Sequence, residues 1–257
     1  MSALRVAAVQ HDILWEDGPA NLARLQPMVA KAAGDGARLV LLSEMFPTGF
    51  SMATERVAEP PDGPSVEFLR QQAGDFDIWV GGSISVAPDS GGKPVNQFVL
   101  AGPGGEVHRY AKIHPFSYGG ETDFYDAGRE TLTVDMDGVR TTPFVCYDLR
   151  FADLFWDAAA ATDLYVVVAN WPASRRHHWR TLLMARAIEN QAWVVGVNRV
   201  GNGGGLGYAG DTQVIDPMGT IAAEADREAQ GEEIVVADID TETVVRTRTR
   251  FPFLEDR

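Results

Sequence analysis

Short apolar runs that halt at a polar residue constrain this chain more than any other feature. Residues 4–10 (LRVAAVQ), 38–42 (RLVLL) and 164–169 (LYVVVA) carry almost no alternation of apolar and polar positions. A strand that is apolar on both faces has to be covered on both faces. Each run therefore predicts a central strand of a sheet with helices outside it. None approaches the ~20 apolar residues that a membrane-spanning helix needs.

The intervening segments supply the helices and the hairpins. Residues 19–33 follow the Asp17-Gly18-Pro19 turn as a helix, and residues 65–72 follow a second turn ending at Gly63-Pro64. Residues 177–191 read as the longest helix, with Trp179, Leu182, Leu183 and Ala187 at helical spacing. Residues 78–86 and 95–101 flank the turn-rich stretch 88–94 and predict a hairpin. Residues 106–110 follow as a further strand, and residues 131–135 and 139–145 meet at Asp137-Gly138. Residues 194–200 and 212–215 read as strands separated by a flexible Gly-rich loop, residues 221–223 and 233–238 as strands completing a sheet, and residues 241–247 as a last helix. Residues 114–128 form a loop of a length that usually has a function. Hairpins interrupt the early alternation of strand and helix, so a purely parallel doubly wound sheet fits poorly. The expectation is a single α/β domain over residues 1–257, with mixed sheets inside and helices outside.

The chain carries 22 Lys and Arg against 36 Asp and Glu, a formal charge of −14, which disfavours nucleic acid and anionic membranes as partners. One cysteine rules out an internal disulfide and fits a reducing compartment. The stretch from Met1 to Val6 lacks the long apolar segment of a secretion signal, so a cytoplasmic location is expected.

That one cysteine, Cys146, ends residues 139–145 and precedes the Ala-rich residues 152–161, in a pattern of strand, sharp turn and helix. Such a corner places a thiol beside the free N–H groups of a helix start, where it should ionise more easily than its free pKa of about 8.5 allows. A buried cysteine acting as a small hydrophobe is the competing account. Glu44 and Lys112 hold the same kind of place, just past the carboxyl end of a predicted strand, where α/β folds bind ligands. Singly, each reads as a solvated charge. Together the three supply what thiol-based amide cleavage requires. A carboxylate takes the thiol proton and later activates water, a fixed cation stabilises thiolate and oxyanion, and the Tyr147 N–H completes an oxyanion hole.

Three stretches carry a family resemblance: residues 42–46 (LSEMF), 110–114 (YAKIH) and 145–151 (VCYDLRF). They resemble the three signature blocks of the nitrilase superfamily of carbon–nitrogen hydrolases. The similarity continues through residues 169–172 (ANWP), 185–191 (ARAIENQ) and Phe251-Pro252. The resemblance implies a four-layer αββα sandwich of two mixed β-sheets flanked by helices. It also implies a Glu44–Lys112–Cys146 triad that hydrolyses amides or nitriles through a thioester with no cofactor and no metal, in a homodimer or higher homo-oligomer. Within the superfamily, CYDLRF and ANWP look most like the omega-amidase branch, which deamidates 2-oxoglutaramate and 2-oxosuccinamate. Many relatives carry Pro-Glu where this chain has Ala152-Asp153. N-carbamoyl compounds, aliphatic amides and nitriles stay open as alternative substrates, and a non-catalytic scaffold subunit as an alternative of another class.

A small dicarboxylate monoamide also needs partners for its other groups. Glu121, in the long loop, resembles a second glutamate near the triad in family members; it would accept from the substrate amide or orient Lys112, unless it is a solvated loop carboxylate. Arg150, Arg175 and Arg176 are candidates for the substrate carboxylate, because a guanidinium grips a carboxylate in two places. Arg150 could instead pair with Asp148, and the adjacent Arg175 and Arg176 could be a solvated helix start. Trp171 would wall the pocket or fill the core.

Other signals are weaker. Residues 205–210 (GLGYAG) fit G-x-G-x-x-G but lead into a strand, so no dinucleotide cradle is expected. His177 and His178 are adjacent and diverge on a helix, which fits packing or capping roles. The basic run 246–250 would dock on another subunit or be a solvated tail.

Overall fold

The apolar runs become middle strands of two six-stranded sheets in the computed structural model, which describes residues 3–256. Met1 and Ser2, which open the stretch read for a secretion signal, and Arg257 lie outside the described residues. The first sheet holds β1 (Ala3–Gln10), β2 (Leu39–Leu41), β3 (Trp79–Val86), β4 (Val95–Ala101) and β5 (Val107–Ala111). The second begins with β6 (Val134–Met136), β7 (Val139–Val145), β8 (Leu164–Ala169) and β9 (Trp193–Asn198). A separate ribbon, β10 (Val200–Gly203) and β11 (Leu206–Ala209), precedes β12 (Gln213–Ile215) and β13 (Ile221–Glu224), which complete the second sheet. The last strand, β14 (Glu233–Asp240), returns to the first.

The strand orders are β14-β1-β2-β3-β4-β5 and β6-β7-β8-β9-β12-β13. Both sheets place three parallel strands between antiparallel neighbours, so β2 and β8 hold matching positions. Parallel neighbours need crossovers, and helices supply them. α1 (Gly18–Gly34) joins β1 to β2, while the short α2 (Thr54–Val57) and then α3 (Pro64–Phe76) lead to β3. α4 (Glu121–Phe124) lies in the long loop, α5 (Ala152–Ala158) joins β7 to β8, and α6 (Arg176–Asn190) joins β8 to β9. α7 (Thr241–Arg250) follows β14.

Side-chain alternation sets the layers. Val6, Ala8, Leu39 and Leu41 share one apolar cluster with the second sheet, while Ala7, Val9, Val40 and Leu42 join Leu25, Val29, Val66 and Leu69 of α1 and α3. Between the sheets, Leu39, Leu41, Phe98 and Leu100 meet Met136, Pro143 and Val166. Trp179, Leu183 and Ala187 of α6 cover the far face of the second sheet. The result is a helix–sheet–sheet–helix sandwich. Each fully buried Leu, Ile or Val side chain contributes about 1.5–3 kcal/mol to it.

Local chemistry fixes the ends. The Asp17 carboxylate accepts the Ala20 N–H (3.2 Å) ahead of α1. Pro64 opens α3, and Asp77 closes it in the left-handed region (φ 55°). Pro143 fits inside β7 because β6 pairs only with Val139–Thr141 on that side, so no ladder bond needs its missing N–H.

Several sequence expectations change. The longest helix is α1 (17 residues), not the helix after Arg175 (15 residues). The Gly-rich stretch is an ordered ribbon, because Gly204 and Gly205 take positive φ and let the chain reverse. β13 and β14 end up in different sheets. The long loop contains α4 and a 3₁₀ turn over Ser117–Gly119. Within the basic run, Arg248 turns back on its own chain, donating to the carbonyls of Ala159, Thr162, Asn190 and Gln191 and so serving the open carbonyls at the end of α6, while Arg246 and Arg250 stay exposed. Among the described residues no helix is long and apolar enough to cross a membrane.

Candidate active site

The carboxyl ends of both sheets' strands converge. Glu44 follows β2, Lys112 follows β5, Cys146 follows β7 and Asn170 follows β8. Glu121 opens α4 after Gly120, whose φ of 78° turns the loop inward. Cys146 itself has φ 46°, uncommon for a residue with a Cβ, at the head of a 3₁₀ turn over Cys146–Arg150. Such a corner aims the thiol out of the strand and into open space.

Lys112 Nζ lies 3.0 Å from Glu44 Oε1 and 2.8 Å from Glu121 Oε2, and all three side chains are buried. The Phe116 N–H also donates to Glu121. Asn96 Nδ2 donates to Glu44 Oε1 (2.8 Å) and to Glu121 Oε1 (3.1 Å), while its Oδ1 accepts from Ser83 Oγ (2.8 Å). Burial alone would lower the Lys112 pKa. Glu121 and Glu44 more than reverse that and hold it as an ammonium. Burial pushes the Glu121 carboxyl up, with Lys112 opposing.

Cys146 is half-buried and lines a cavity of about 420 Å³ together with Glu44 and Tyr147. Burial first, and then the Glu44 charge, push the Cys146 thiol well above its ordinary range, with Lys112 opposing. This corrects the expectation of an easily ionised thiol. A five-residue 3₁₀ turn offers little dipole, and the neighbouring carboxylate outweighs it. A neutral thiol bonded to Glu44 is set to lose its proton to that carboxylate as the sulfur attacks. The Tyr147 N–H precedes the first bond of the turn and so has no partner within it.

Asp148 staples two segments of the site together. It accepts from Tyr110 OH (2.8 Å), the His114 N–H (2.8 Å) and the Val145 N–H (3.0 Å), which bracket Lys112 and Cys146. Arg150 therefore does not pair with Asp148. Its guanidinium lies over the Trp171 ring (4.8 Å), with Nη2 3.2 Å from His178 Nδ1, and it lines the cavity. Arg175 lines the cavity over Phe116 (5.5 Å). Arg176 is no longer a carboxylate-binding candidate: Nε and Nη2 grip Asp211 at 2.9 and 2.7 Å. Trp171 combines its two expected roles, bordering the cavity and packing on Trp179 at 5.5 Å. Glu121 is buried with its carboxylate on Lys112 Nζ, and neither residue lines the cavity wall; the geometry suits orienting the lysine.

Sequence reasoning missed Asn96, Asp148 and Tyr208. The last lines the cavity from β11. A faint signal existed for Asn96, since asparagine is disfavoured inside strands and this one is buried in β4.

A carbon–nitrogen hydrolase family model matches residues 5–249. The omega-amidase YafV of Escherichia coli (strain K12) is 39% identical over 258 residues, covering 100% of this chain and 97% of that protein. A 2-oxoglutaramate amidase of Bacillus subtilis (strain 168) is 31% identical over 257 residues, covering 98% and 96%. The crystal structure of a carbon–nitrogen hydrolase superfamily protein from Xanthomonas campestris, with an arsenic adduct in its active site, superposes with a TM-score of 0.93 at 38% identity, covering 100% and 98%.

Proposed function

This chain belongs to the carbon–nitrogen hydrolase family, and we propose that it releases ammonia from the terminal amide of a small dicarboxylate monoamide such as 2-oxoglutaramate or 2-oxosuccinamate. One observation carries the assignment of roles: a buried Glu44–Lys112 pair stands beside the only thiol, which opens onto a cavity with two arginines on its wall.

Glu44 accepts the Cys146 proton as the sulfur attacks the amide carbonyl. Lys112 and the Tyr147 N–H stabilise the oxyanion. Glu44 returns the proton to the departing ammonia, leaving an acyl-thioester. It then deprotonates a water that attacks the same carbon, and the acid departs as the thiol re-forms. Glu121 and Asn96 hold Lys112 and Glu44 in register, while Arg150 and Arg175 supply positive charge for the substrate carboxylate.

We take the whole chain as one catalytic domain, since the site draws on both sheets. We infer a cytoplasmic homo-oligomer: the lone cysteine suits a reducing compartment, and Trp156, Ile188 and Phe253 leave apolar surface exposed. Light scattering at several concentrations tests the assembly; a monomer throughout would refute it.

The substrate is tested by ammonia release from 2-oxoglutaramate, glutamine and asparagine in parallel. A clear preference for the keto acid amide is expected. Equal turnover of all three, or of none, would remove the omega-amidase reading.

A further inference from the structure

The cavity presents two guanidinium groups, and they are not equally available. Arg150 is already stacked on Trp171 and bonded to His178. Arg175 lies over the Phe116 ring, and among the described residues its side chain has no ion pair or hydrogen bond.

A second donor stands beside Arg175. The strand Leu206–Ala209 packs against the turn Ala173–Arg175, and it brings Tyr208 to the same cavity wall. Among the described residues the Tyr208 hydroxyl makes no hydrogen bond, and Tyr208 lines the cavity. Its ring rests on the Arg199 guanidinium at 4.5 Å. Arg199 is fully buried and held by Asp12 (2.9 Å) and by the carbonyls of Ile13 (3.1 Å) and Asn202 (3.0 Å). The phenol is thus positioned from behind by a cation that cannot itself reach the substrate. Burial, with help from the Glu44 charge and against the opposing charges of Arg199 and Arg175, pushes its pKa up to about 12, so it remains a donor throughout the working range.

We propose that Tyr208 and Arg175 form the clamp for the anionic end of the substrate. The phenol O–H and the guanidinium donate to its carboxylate, while Cys146 meets the amide at the other end. Arg199 is the positioning residue for Tyr208. This makes the site selective for short amides that carry a carboxylate over uncharged amides of similar length, and it rests on the amidase function proposed above.

Two measurements test it. The first is the ratio of kcat/KM for 2-oxoglutaramate to that for butyramide, which has no carboxylate. Tyr208→Phe and Arg175→Gln should each lower this ratio by about tenfold or more, the usual effect of losing a hydrogen bond to a charged group. Arg150→Gln should lower it less than either. An unchanged ratio in Tyr208→Phe or Arg175→Gln overturns the clamp, as does a greater loss in Arg150→Gln. The second needs no turnover: calorimetric binding of 2-oxoglutarate to Cys146→Ala, alone and with Tyr208→Phe added. The dissociation constant should rise by about tenfold on adding Tyr208→Phe. Equal affinity, or no binding to Cys146→Ala, overturns the clamp. A wild-type protein that binds 2-oxoglutarate through Tyr208 yet cleaves no amide would instead defeat the amidase function and leave the clamp standing.

Discussion

The backbone N–H of Asn170 donates to Glu44 Oε2 over 2.8 Å, joining strand ends that hold matching central positions in different sheets. The Asn170 side-chain amide in turn donates to the Glu44 carbonyl. The other carboxylate oxygen of Glu44 receives Asn96 and Lys112. A group that must accept a proton, return it and accept another gains from being fixed on all sides, because no reorganisation is then needed between steps.

Asn96 donates to two buried carboxylates with one NH₂ group. Asn96→Ala leaves both short of a donor, and hydrogen bonds to charged groups contribute about 1.5–3 kcal/mol each. The expected outcome is a loss of about 3 kcal/mol or more of unfolding free energy in urea, with kcat reduced at least about tenfold. Wild-type stability together with wild-type kcat would show that the bridge is idle.

The Glu44 charge raises the Cys146 thiol, and Lys112 opposes it. Glu44→Gln removes the raising charge and keeps the cation. The pH midpoint of thiolate formation, followed by ultraviolet absorbance, should therefore move down while amide turnover disappears. A midpoint that moves up would reverse the assigned electrostatics.

His11 is buried, and its Nε2 lies 3.0 Å from the hydroxyl of Ser43, the residue before Glu44. Burial pulls its pKa down from 6.5 to about 4. The unfolded chain takes up this proton first as the pH falls. Stability from this group is intact above pH 6.5 and is lost between there and about pH 4, by up to about 3 kcal/mol. Urea midpoints across that window should fall steeply for the wild type and less steeply for His11→Asn; parallel slopes would exclude His11 as the source.

Asp148 holds the Lys112 segment against the Cys146 turn through three donors. Asp148→Ala orphans these buried groups, at about 3 kcal/mol or more in stability. Tyr110→Phe removes one donor and should cost about 1 kcal/mol in the same urea assay. Equal losses in the two variants would show that the backbone N–H bonds to Asp148 contribute little.

The shared placement of Glu44, Lys112 and Cys146 was legible because a strand's carboxyl end can be read from one stretch of chain, and the family resemblance implied their roles as a triad. Mixed sheets with helices outside were legible through apolar runs that need cover on both faces, while the two-sheet sandwich was what the family resemblance implied. What the sequence hid depends on where the sheets meet. Arg176 and Asp211 are far apart in the chain and adjacent in space, and nothing in either stretch predicts the pair. The Gly-rich stretch read as flexible because its order comes from a ladder between β10 and β11, with Tyr208 packed on Arg199. Arg150 and Asp148 are two residues apart, a spacing that points side chains away from each other on a helical turn, so their separation could have been foreseen. The ease of thiol ionisation was read from the helix start, whereas burial first and the Glu44 charge second push the other way.

The most direct test of the central claim is the mass of the peptide containing Cys146 after acid quench during turnover of 2-oxoglutaramate. That peptide should carry the acyl group of the substrate less ammonia, and no adduct should form with Cys146→Ala, which should also release no ammonia. An unmodified Cys146 peptide under steady turnover, or ammonia release by Cys146→Ala near the wild-type rate, would contradict it.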